Sequence, residues 1–170
     1  MNKIDLNELE LKVFTEQDAL DYCSINNINP DDIIKLYLNF NKLTDISGVK
    51  LFKNLEKLAL AENQLTDISV LKYLNKLKVL YISYNNIKDI SVLKNLNLID
   101  LSIKNNQIKD ISVIKYLNNL EFLNIRNLNL ESDQIQYIKN LENLKELYCF
   151  NGFKDISVLN PLNKNIKIYK

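Results

Sequence analysis

Five aspartates recur in this chain within the same tripeptide, Asp-Ile-Ser. They are Asp45, Asp67, Asp89, Asp110 and Asp155. Carboxylates brought into a row could bind a hard cation such as calcium, which prefers oxygen ligands. An Asp at the start of a short helix can instead accept hydrogen bonds from backbone N–H groups that the helix leaves unpaired. Capping explains each Asp individually, so we favour it over the cation row and expect no metal site.

The sequence contains few other residues of the types that commonly act in catalysis. The chain contains no His, which removes Ser-His and Cys-His nucleophile systems and His metal ligation. Its two glycines, Gly48 and Gly152, are too few for a glycine-rich phosphate loop. The two cysteines, Cys23 and Cys149, are expected to be buried, reduced thiols rather than a disulfide. We therefore predict that the protein is not an enzyme and uses no cofactor.

The Asp-Ile-Ser tripeptides belong to a longer repeat with a period of 21 to 24 residues. The repeat reads Leu-x-x-Leu-x-Leu-x-x-Asn-x-Leu-x-Asp-Ile-Ser. Its six copies start at Ile33, Leu55, Leu77, Leu98, Leu120 and Leu144. A fixed period in this range indicates a solenoid, in which each repeat buries its apolar face against its neighbours.

Each part of the repeat predicts a structural element. The alternation in Leu58-Ala59-Leu60 predicts one short strand per repeat, with the Leu side chains inward. The Asn that follows, as in Asn63, can bond the backbone groups that a turn leaves unpaired, so we expect a buried Asn ladder. Apolar residues three apart, such as Ile68 and Leu71, close the convex side.

On these motifs, residues 33 to about 162 resemble leucine-rich repeats, in the 22-residue class found in bacterial internalins and phosphatase-regulatory repeat proteins. The resemblance implies an α/β solenoid, an arc with a parallel β-sheet on its concave side and short helices or 3-10 turns on its convex side. It also implies a non-enzymatic protein-binding module that engages its partner through the concave face.

Aromatic and basic side chains are frequent at the outward strand positions, which would form the concave face. Outward positions on a solvated sheet should be mostly polar, and Tyr and Arg often dominate protein interfaces. Tyr37 and Tyr81, about 10 Å apart with Ala59 and Ala61 between them, would wall a shallow trough. Alternatively, aromatics fit strands by propensity and pack sideways on one another. We favour a binding surface made by Tyr37, Phe40, Tyr81, Tyr84, Lys104, Phe122, Arg126, Tyr148 and Phe150, and we expect the convex side to be mostly Lys, Asn and Ser.

The N-terminal residues 1–32 lack the full repeat and are predicted to cap the array. Leu6, Leu9 and Leu11 indicate a degenerate strand. Thr15 can act as the N-cap of a helix over about 16 to 26. The inward residues of that helix are expected to be Ala19, Leu20, Cys23 and Ile25.

The C-terminal part is less regular. The fifth repeat has Leu128 in place of the ladder Asn, and its convex segment after Ser132 suits a fuller helix; the sixth is one residue short, which Gly152 can absorb. Repeat drift explains both, with a functional loop or a change of curvature near 126–153 as the alternative. Pro161 then interrupts the pattern, and Ile166-Lys167-Ile168 indicates a last strand, so residues 163–170 form a partial repeat or a cap.

Charge and hydropathy narrow the range of partners. Lys and Arg number 22 and Asp and Glu 21, which argues against nucleic acid or a membrane surface. No apolar stretch is long enough to span a membrane, and the charged first residues are unlike a secretory signal. We expect a monomer, cytoplasmic or exported by another route, whose partner is another protein. Two narrower roles stay open: an intracellular inhibitor or effector-like regulator that blocks a partner enzyme or toxin, and a structural segment of a surface adhesin.

Overall fold

The computed structural model describes residues 2–160, 162 and 165–170. In this part of the chain, eight strands form one open parallel sheet in chain order, each paired with its neighbours in sequence. This topology confirms the predicted α/β solenoid. The strands are β1 (Lys3–Asp5), β2 (Lys35–Tyr37), β3 (Lys57–Ala59), β4 (Val79–Tyr81), β5 (Asp100–Ser102), β6 (Phe122–Asn124), β7 (Glu146–Tyr148) and β8 (Lys167–Tyr169).

The opposite side of the solenoid carries short helices. Two are α-helical, α1 (Glu16–Ile25) and α2 (Gln136–Lys139). The 3-10 helices span Pro30–Asp32, Ser47–Leu51, Ser69–Tyr73, Ser91–Asn95, Ser112–Tyr116, Ser132–Ile135 and Ile156–Leu159. In the described residues, no helix is long and apolar enough to cross a membrane.

The recurring Asp residues accept a backbone N–H at the start of these helices, as predicted; Asp155 does so from the N-cap position and the other four from the residue before it. The helix after Asp67 begins at Ser69, so the residue before the helix is Ile68. The Asp67 Oδ1 nevertheless accepts the Ser69 backbone N–H at 2.7 Å. The same bond, at 2.7 to 2.9 Å, is made by Asp45, Asp89, Asp110 and Asp155.

The core is a stack of the middle residues of the strands. Leu58 lies beside Leu36 on one side and Leu80 on the other, and all three are fully buried. Burying one Leu side chain stabilises a protein by about 1.5 to 3 kcal/mol. Each repeat obtains this burial only from its neighbours, so stability depends on contacts between repeats.

The Asn ladder forms as predicted and joins consecutive repeats. The Nδ2 of Asn85 donates to the carbonyl oxygens of Leu60 at 2.9 Å and Ile82 at 3.2 Å. Its Oδ1 accepts the Leu65 N–H at 2.9 Å, so one buried side chain satisfies backbone groups of two repeats. Asn86 is exposed. Equivalent bonds are made by Asn41, Asn63 and Asn106.

The N-terminal strand lies earlier in the chain than predicted. Strand β1 is Lys3–Asp5, and Ile4 pairs with Leu36, so Ile4 and Leu6 are the inward residues. The sequence interpretation placed Leu6 at the start of the strand pattern instead of near its end. Leu9 follows Leu6 by three residues, which is the ladder position, and it is 55% exposed.

Helix α1 confirms the capping prediction but not the whole predicted inner face. Thr15 and Asp18 exchange side-chain and backbone hydrogen bonds in a capping box. Ala19 and Cys23, one turn apart, are buried. Leu20 and Ile25 were predicted to face inward, but they are 43% and 79% exposed because they lie off the Ala19–Cys23 stripe.

The last repeats show how the ladder ends. Leu128 is buried at the ladder position of the fifth repeat, and a 3-10 turn followed by α2 forms the predicted fuller helix. At the same position in the sixth repeat, Gly152 donates its N–H to the Cys149 carbonyl at 2.7 Å. A Cβ at Gly152 would lie 2.9 Å from that oxygen, so an Asn does not fit there.

Two further expectations concern the cysteines and the last strand. Cys23 and Cys149 are free and buried, as predicted. Strand β8 begins one residue after the predicted start, and Ile168 pairs with Leu147. Pro161, at which the repeat was expected to break, lies outside the described residues, as do Asn163 and Lys164.

Candidate binding site on the concave face

The concave face consists of three rows of outward side chains that run across the strands. The first row is Lys3, Lys35, Lys57, Val79, Asp100, Phe122, Glu146 and Lys167; the second is Asp5, Tyr37, Ala59, Tyr81, Ser102, Asn124, Tyr148 and Tyr169. The third row follows two residues later in the repeats: Asn39, Ala61, Ser83, Lys104, Arg126 and Phe150.

A groove of about 400 Å³ crosses the middle of this face. Its floor contains buried polar side chains, Ser83, Ser102 and Asn124, and the Ser83 and Ser102 hydroxyl oxygens are 2.7 Å apart. These residues were not among the predicted site residues. Their outward positions in the repeat, which they share with predicted site residues, could have identified them from sequence. The groove is deep because the floor residues are small and the residues beside them are large. These larger residues, which form the walls, are Phe40, Tyr81, Tyr84, Lys104 and Phe122.

Two of the wall residues, Phe40 and Tyr84, have an unusual backbone conformation. Phe40 and Tyr84 each precede a ladder Asn, and both have φ of 55°. Bulky residues rarely adopt this left-handed region. The same position of the other repeats is also at positive φ and holds Glu62, Asn105, Asn127 and Asn151, and Asn is a residue type that tolerates this region. Phe40 and Tyr84 are 50% and 44% exposed, so the fold holds two solvated rings at a conformational cost.

Tyr81 is fixed by a carboxylate on the next strand. Its hydroxyl donates to the Asp100 Oδ2 at 2.5 Å. Asp100 lies between Val79 and Phe122, and burial raises its pKa, although the Tyr81 hydrogen bond and the Lys57 charge act in the opposite direction. Burial also raises the pKa of Tyr81, and the bond to Asp100 adds to this rise. The Tyr81 hydroxyl therefore stays protonated at neutral pH, and the ring is held in one orientation.

The trough expected between Tyr37 and Tyr81 is occupied by a lysine. The Lys57 Nζ lies 5.6 Å from the Tyr37 ring centroid and 5.0 Å from that of Tyr81. An ammonium over aromatic faces is attracted to both rings. Tyr37 does not line the groove, which includes residues of β4, β5 and β6 but only residues that follow β2 and β3.

Aromatic residues nearer the C-terminus pack on one another, as the alternative interpretation expected. The ring centroids of Phe122 and Tyr148 are 5.0 Å apart, and those of Tyr148 and Tyr169 are 4.1 Å apart. Arg126 lies on the same stack, with its Cζ 4.7 Å from the Tyr148 centroid. Phe150 is 54% exposed and lines a separate depression.

The nine predicted site residues thus fall into two groups, those that line the groove and those that do not. Five of the predicted residues line the groove: Phe40, Tyr81, Tyr84, Lys104 and Phe122. Four lie on the same face outside it: Tyr37, Arg126, Tyr148 and Phe150.

The convex side, expected to be mostly Lys, Asn and Ser, also exposes two aromatic rings. Tyr73 and Tyr116, at the last position of their 3-10 helices, are 53% and 45% exposed. The Lys72 Nζ lies 5.1 Å from the Tyr73 centroid, and the Lys94 Nζ lies 4.6 Å from that of Tyr116. Exposed tyrosines alone therefore do not mark a site. The concave face is distinguished by a groove that several aromatic rings line together, namely those of Phe40, Tyr81, Tyr84 and Phe122.

Comparisons with known proteins point to one family. The family model described as leucine-rich repeats (2 copies) matches residues 32–73, 53–95 and 75–116, which overlap and together cover half of the chain. A comparison with the sequences of curated proteins found no significant match.

Solved structures give the same result. The crystal structure of an internalin, InlF, from Listeria monocytogenes is 27% identical with a TM-score of 0.84 over 100% of this chain. The chain spans 47% of that internalin, about half its length. Internalin C2 of the same organism is 24% identical over 99% of this chain and 80% of its own, with a TM-score of 0.69, and shows the fold alone. A leucine-rich repeat protein of Leptospira interrogans is 26% identical over 81% of this chain and 37% of its own, also with a TM-score of 0.69.

Proposed function

Because this chain belongs to the leucine-rich repeat family, we propose that it is a protein-binding module that holds its partner in the concave groove. The leucine-rich repeat fold commonly mediates protein–protein interaction and generally serves as a non-enzymatic scaffold. The observation that carries the proposal is the pair of exposed rings, Phe40 and Tyr84, held at positive φ on the walls of the groove.

The groove offers what a protein partner needs. Its aromatic walls provide a large apolar contact area and lose little conformational entropy on binding. Its floor hydroxyls and the Asn124 carboxamide can orient a peptide backbone by hydrogen bonds. The bond from Tyr81 to Asp100 fixes one wall before the partner arrives, which lowers the cost of ordering it.

A matched pair of substitutions tests this function. Tyr84→Asn removes one wall and introduces the residue type found at the same repeat position in Asn105 and Asn127, so the left-handed turn is kept. Tyr73→Asn is the convex control, because Asn95 occupies its position in the next repeat. After affinity capture of a partner, calorimetric titration should show that Tyr84→Asn costs at least about 2 kcal/mol of binding free energy, or about thirtyfold.

The control variant should bind within about twofold of wild type, since contacts away from a hot spot contribute little. Circular dichroism and thermal melting of both variants would establish that each is folded. Full affinity in Tyr84→Asn, or a loss confined to Tyr73→Asn, would move the binding surface away from the groove.

A further inference from the structure

Two cations on neighbouring strands of the concave face lack a carboxylate partner. Lys104 and Arg126 occupy equivalent positions of adjacent repeats, so their backbones are about 5 Å apart. Like charges at such positions repel each other. Every ion pair between described residues involves other lysines: Lys3, Lys42, Lys50, Lys78, Lys145 and Lys154.

Tyrosine rings hold both cations without using their hydrogen-bond donors. The Lys104 Nζ lies 4.6 Å from the Tyr84 ring centroid, and Arg126 stacks on Tyr148. The Arg126 Nε is buried and has no acceptor among the described residues. A buried donor without an acceptor is costly, and stacking does not supply one.

A third donor, the Asn105 side chain, follows Lys104 directly in sequence. The Asn105 backbone N–H donates to the Arg126 carbonyl at 3.0 Å, which places Asn105 beside Arg126. Its Oδ1 accepts from the Asn127 Nδ2 at 3.0 Å. The Asn105 Nδ2 is therefore turned away from that bond, and it is buried without an acceptor in the described residues.

Two lysines of the first row, Lys3 and Lys57, have partners within the protein. Lys3 pairs with Asp5 at 3.0 Å. Lys57 lies between two rings and lowers the pKa of Asp100 by its charge. Among the described residues, the buried donors without an acceptor, Asn105 Nδ2 and Arg126 Nε, both lie just after β5 and β6.

We propose that Lys104, Asn105 and Arg126 bind a Glu or Asp carboxylate of the partner protein, carried on an acidic segment that continues into the groove. The inference rests on the proposed function and names the chemistry of the partner. A guanidinium can bind a carboxylate through two parallel hydrogen bonds, and the Asn105 amide and Lys104 ammonium add further donors. Lys104 also lines the groove, so one segment can meet both the donors and the aromatic walls.

Charge favours a single carboxylate over a polyanion. The chain has a net charge of +1, and the first row of the same face carries Asp100 and Glu146. A nucleic-acid backbone laid across the strands would approach these carboxylates, whereas one acidic side chain at the strand ends avoids them.

The test selects binders from a displayed library of random dodecapeptides on the full chain. Peptides recovered on wild type should carry Asp or Glu next to an apolar residue. Changing that acid to Asn or Gln should weaken binding at least about tenfold by fluorescence anisotropy, the size expected for a charge-assisted hydrogen bond. The double variant Lys104→Gln/Arg126→Gln should lose a similar factor and no longer distinguish the acidic peptide from its amide form.

The control is Lys72→Gln/Lys94→Gln, a like-charge pair at equivalent convex positions of adjacent repeats, which should bind as wild type does. Selected peptides without an acid, no selected peptide at all, or equal binding of acid and amide forms would overturn the carboxylate site. If binding is then still lost in Tyr84→Asn, the concave groove stands without it; if Tyr84→Asn binds normally, the proposed function fails as well. Displacement of the peptide from wild type by inorganic phosphate or a 20-nucleotide RNA at lower concentration than by glutamate would assign the donors to phosphate instead.

Discussion

At the residue scale, the ladder asparagines carry the most information. Asn63, Asn85 and Asn106 could be predicted from sequence because each performs a local task, the pairing of turn backbone, that is the same in every repeat. The residues that replace the Asn could not be interpreted in the same way. Leu128 makes no side-chain hydrogen bonds and is instead buried in the core. Gly152 lies so close to the Cys149 carbonyl that a larger residue does not fit, and this contact is visible only in the folded sixth repeat.

The ladder makes a direct prediction about stability. Asn85→Ala removes the acceptor of the Leu65 N–H and the donor to two buried carbonyls, so it should cost about 1 to 3 kcal/mol of unfolding free energy. Asn86→Ala, at the exposed neighbouring position, should change the unfolding free energy by less than about 0.5 kcal/mol. Urea denaturation of both variants measures the difference. Equal losses would mean that the ladder does not hold the repeats together.

At the element scale, the N-terminal segment packs against the convex side of the first full repeat. The 3-10 helix Ser47–Leu51 has Gly48 where later repeats have Val70, Val92 and Val113. The backbone of Phe14 and Thr15 packs against this glycine, and the Gly48 N–H donates to the Phe14 carbonyl at 2.8 Å. We propose on this basis that residues 1–32 cap the array.

The cap can be tested through Gly48, because two effects predict opposite signs. On an open convex surface, Gly48→Ala would stabilise the chain by about 0.4 to 1 kcal/mol, since Ala reduces the freedom of the unfolded state. Against the docked cap, the new Cβ would lie 2.3 Å from the Thr15 carbonyl oxygen and 2.8 Å from that of Phe14. We therefore expect a loss of about 1 to 3 kcal/mol in urea denaturation. A stabilised variant would show that the segment is not docked there.

The repeat pattern predicts the strands and turns but not the packing of the outward side chains. The period predicts one strand and one convex turn per repeat, because both follow from contacts that recur in every copy. The period does not predict which outward side chains contact each other across neighbouring repeats. Lys57 fills the space between Tyr37 and Tyr81, and Tyr148 stacks on Tyr169 of the last strand, because of contacts between particular repeats that the shared pattern does not encode.

At the scale of the whole molecule, the parallel sheet turns single residues into a continuous surface. Neighbouring strands are about 4.8 Å apart, so side chains from five repeats combine into one groove that no repeat could form alone. The groove could be placed on the concave face from sequence, since the outward positions follow from the strand period. Its depth could not, because it depends on how neighbouring side chains pack around small floor residues such as Ser83 and Ser102.

Cross-saturation NMR of the deuterated, ¹⁵N-labelled chain bound to its protonated partner would show whether the partner binds the concave face, because it reports which amides lie against the partner. We expect signal losses to concentrate on the concave face, at residues 39–40, 61–62, 83–84 and 104–105, where the groove walls and the unpaired donors lie. The convex 3-10 helices Ser69–Tyr73, Ser91–Asn95 and Ser112–Tyr116 should keep their intensities. Losses confined to those helices, with the concave amides unaffected, would contradict the assignment of the concave face as the binding surface.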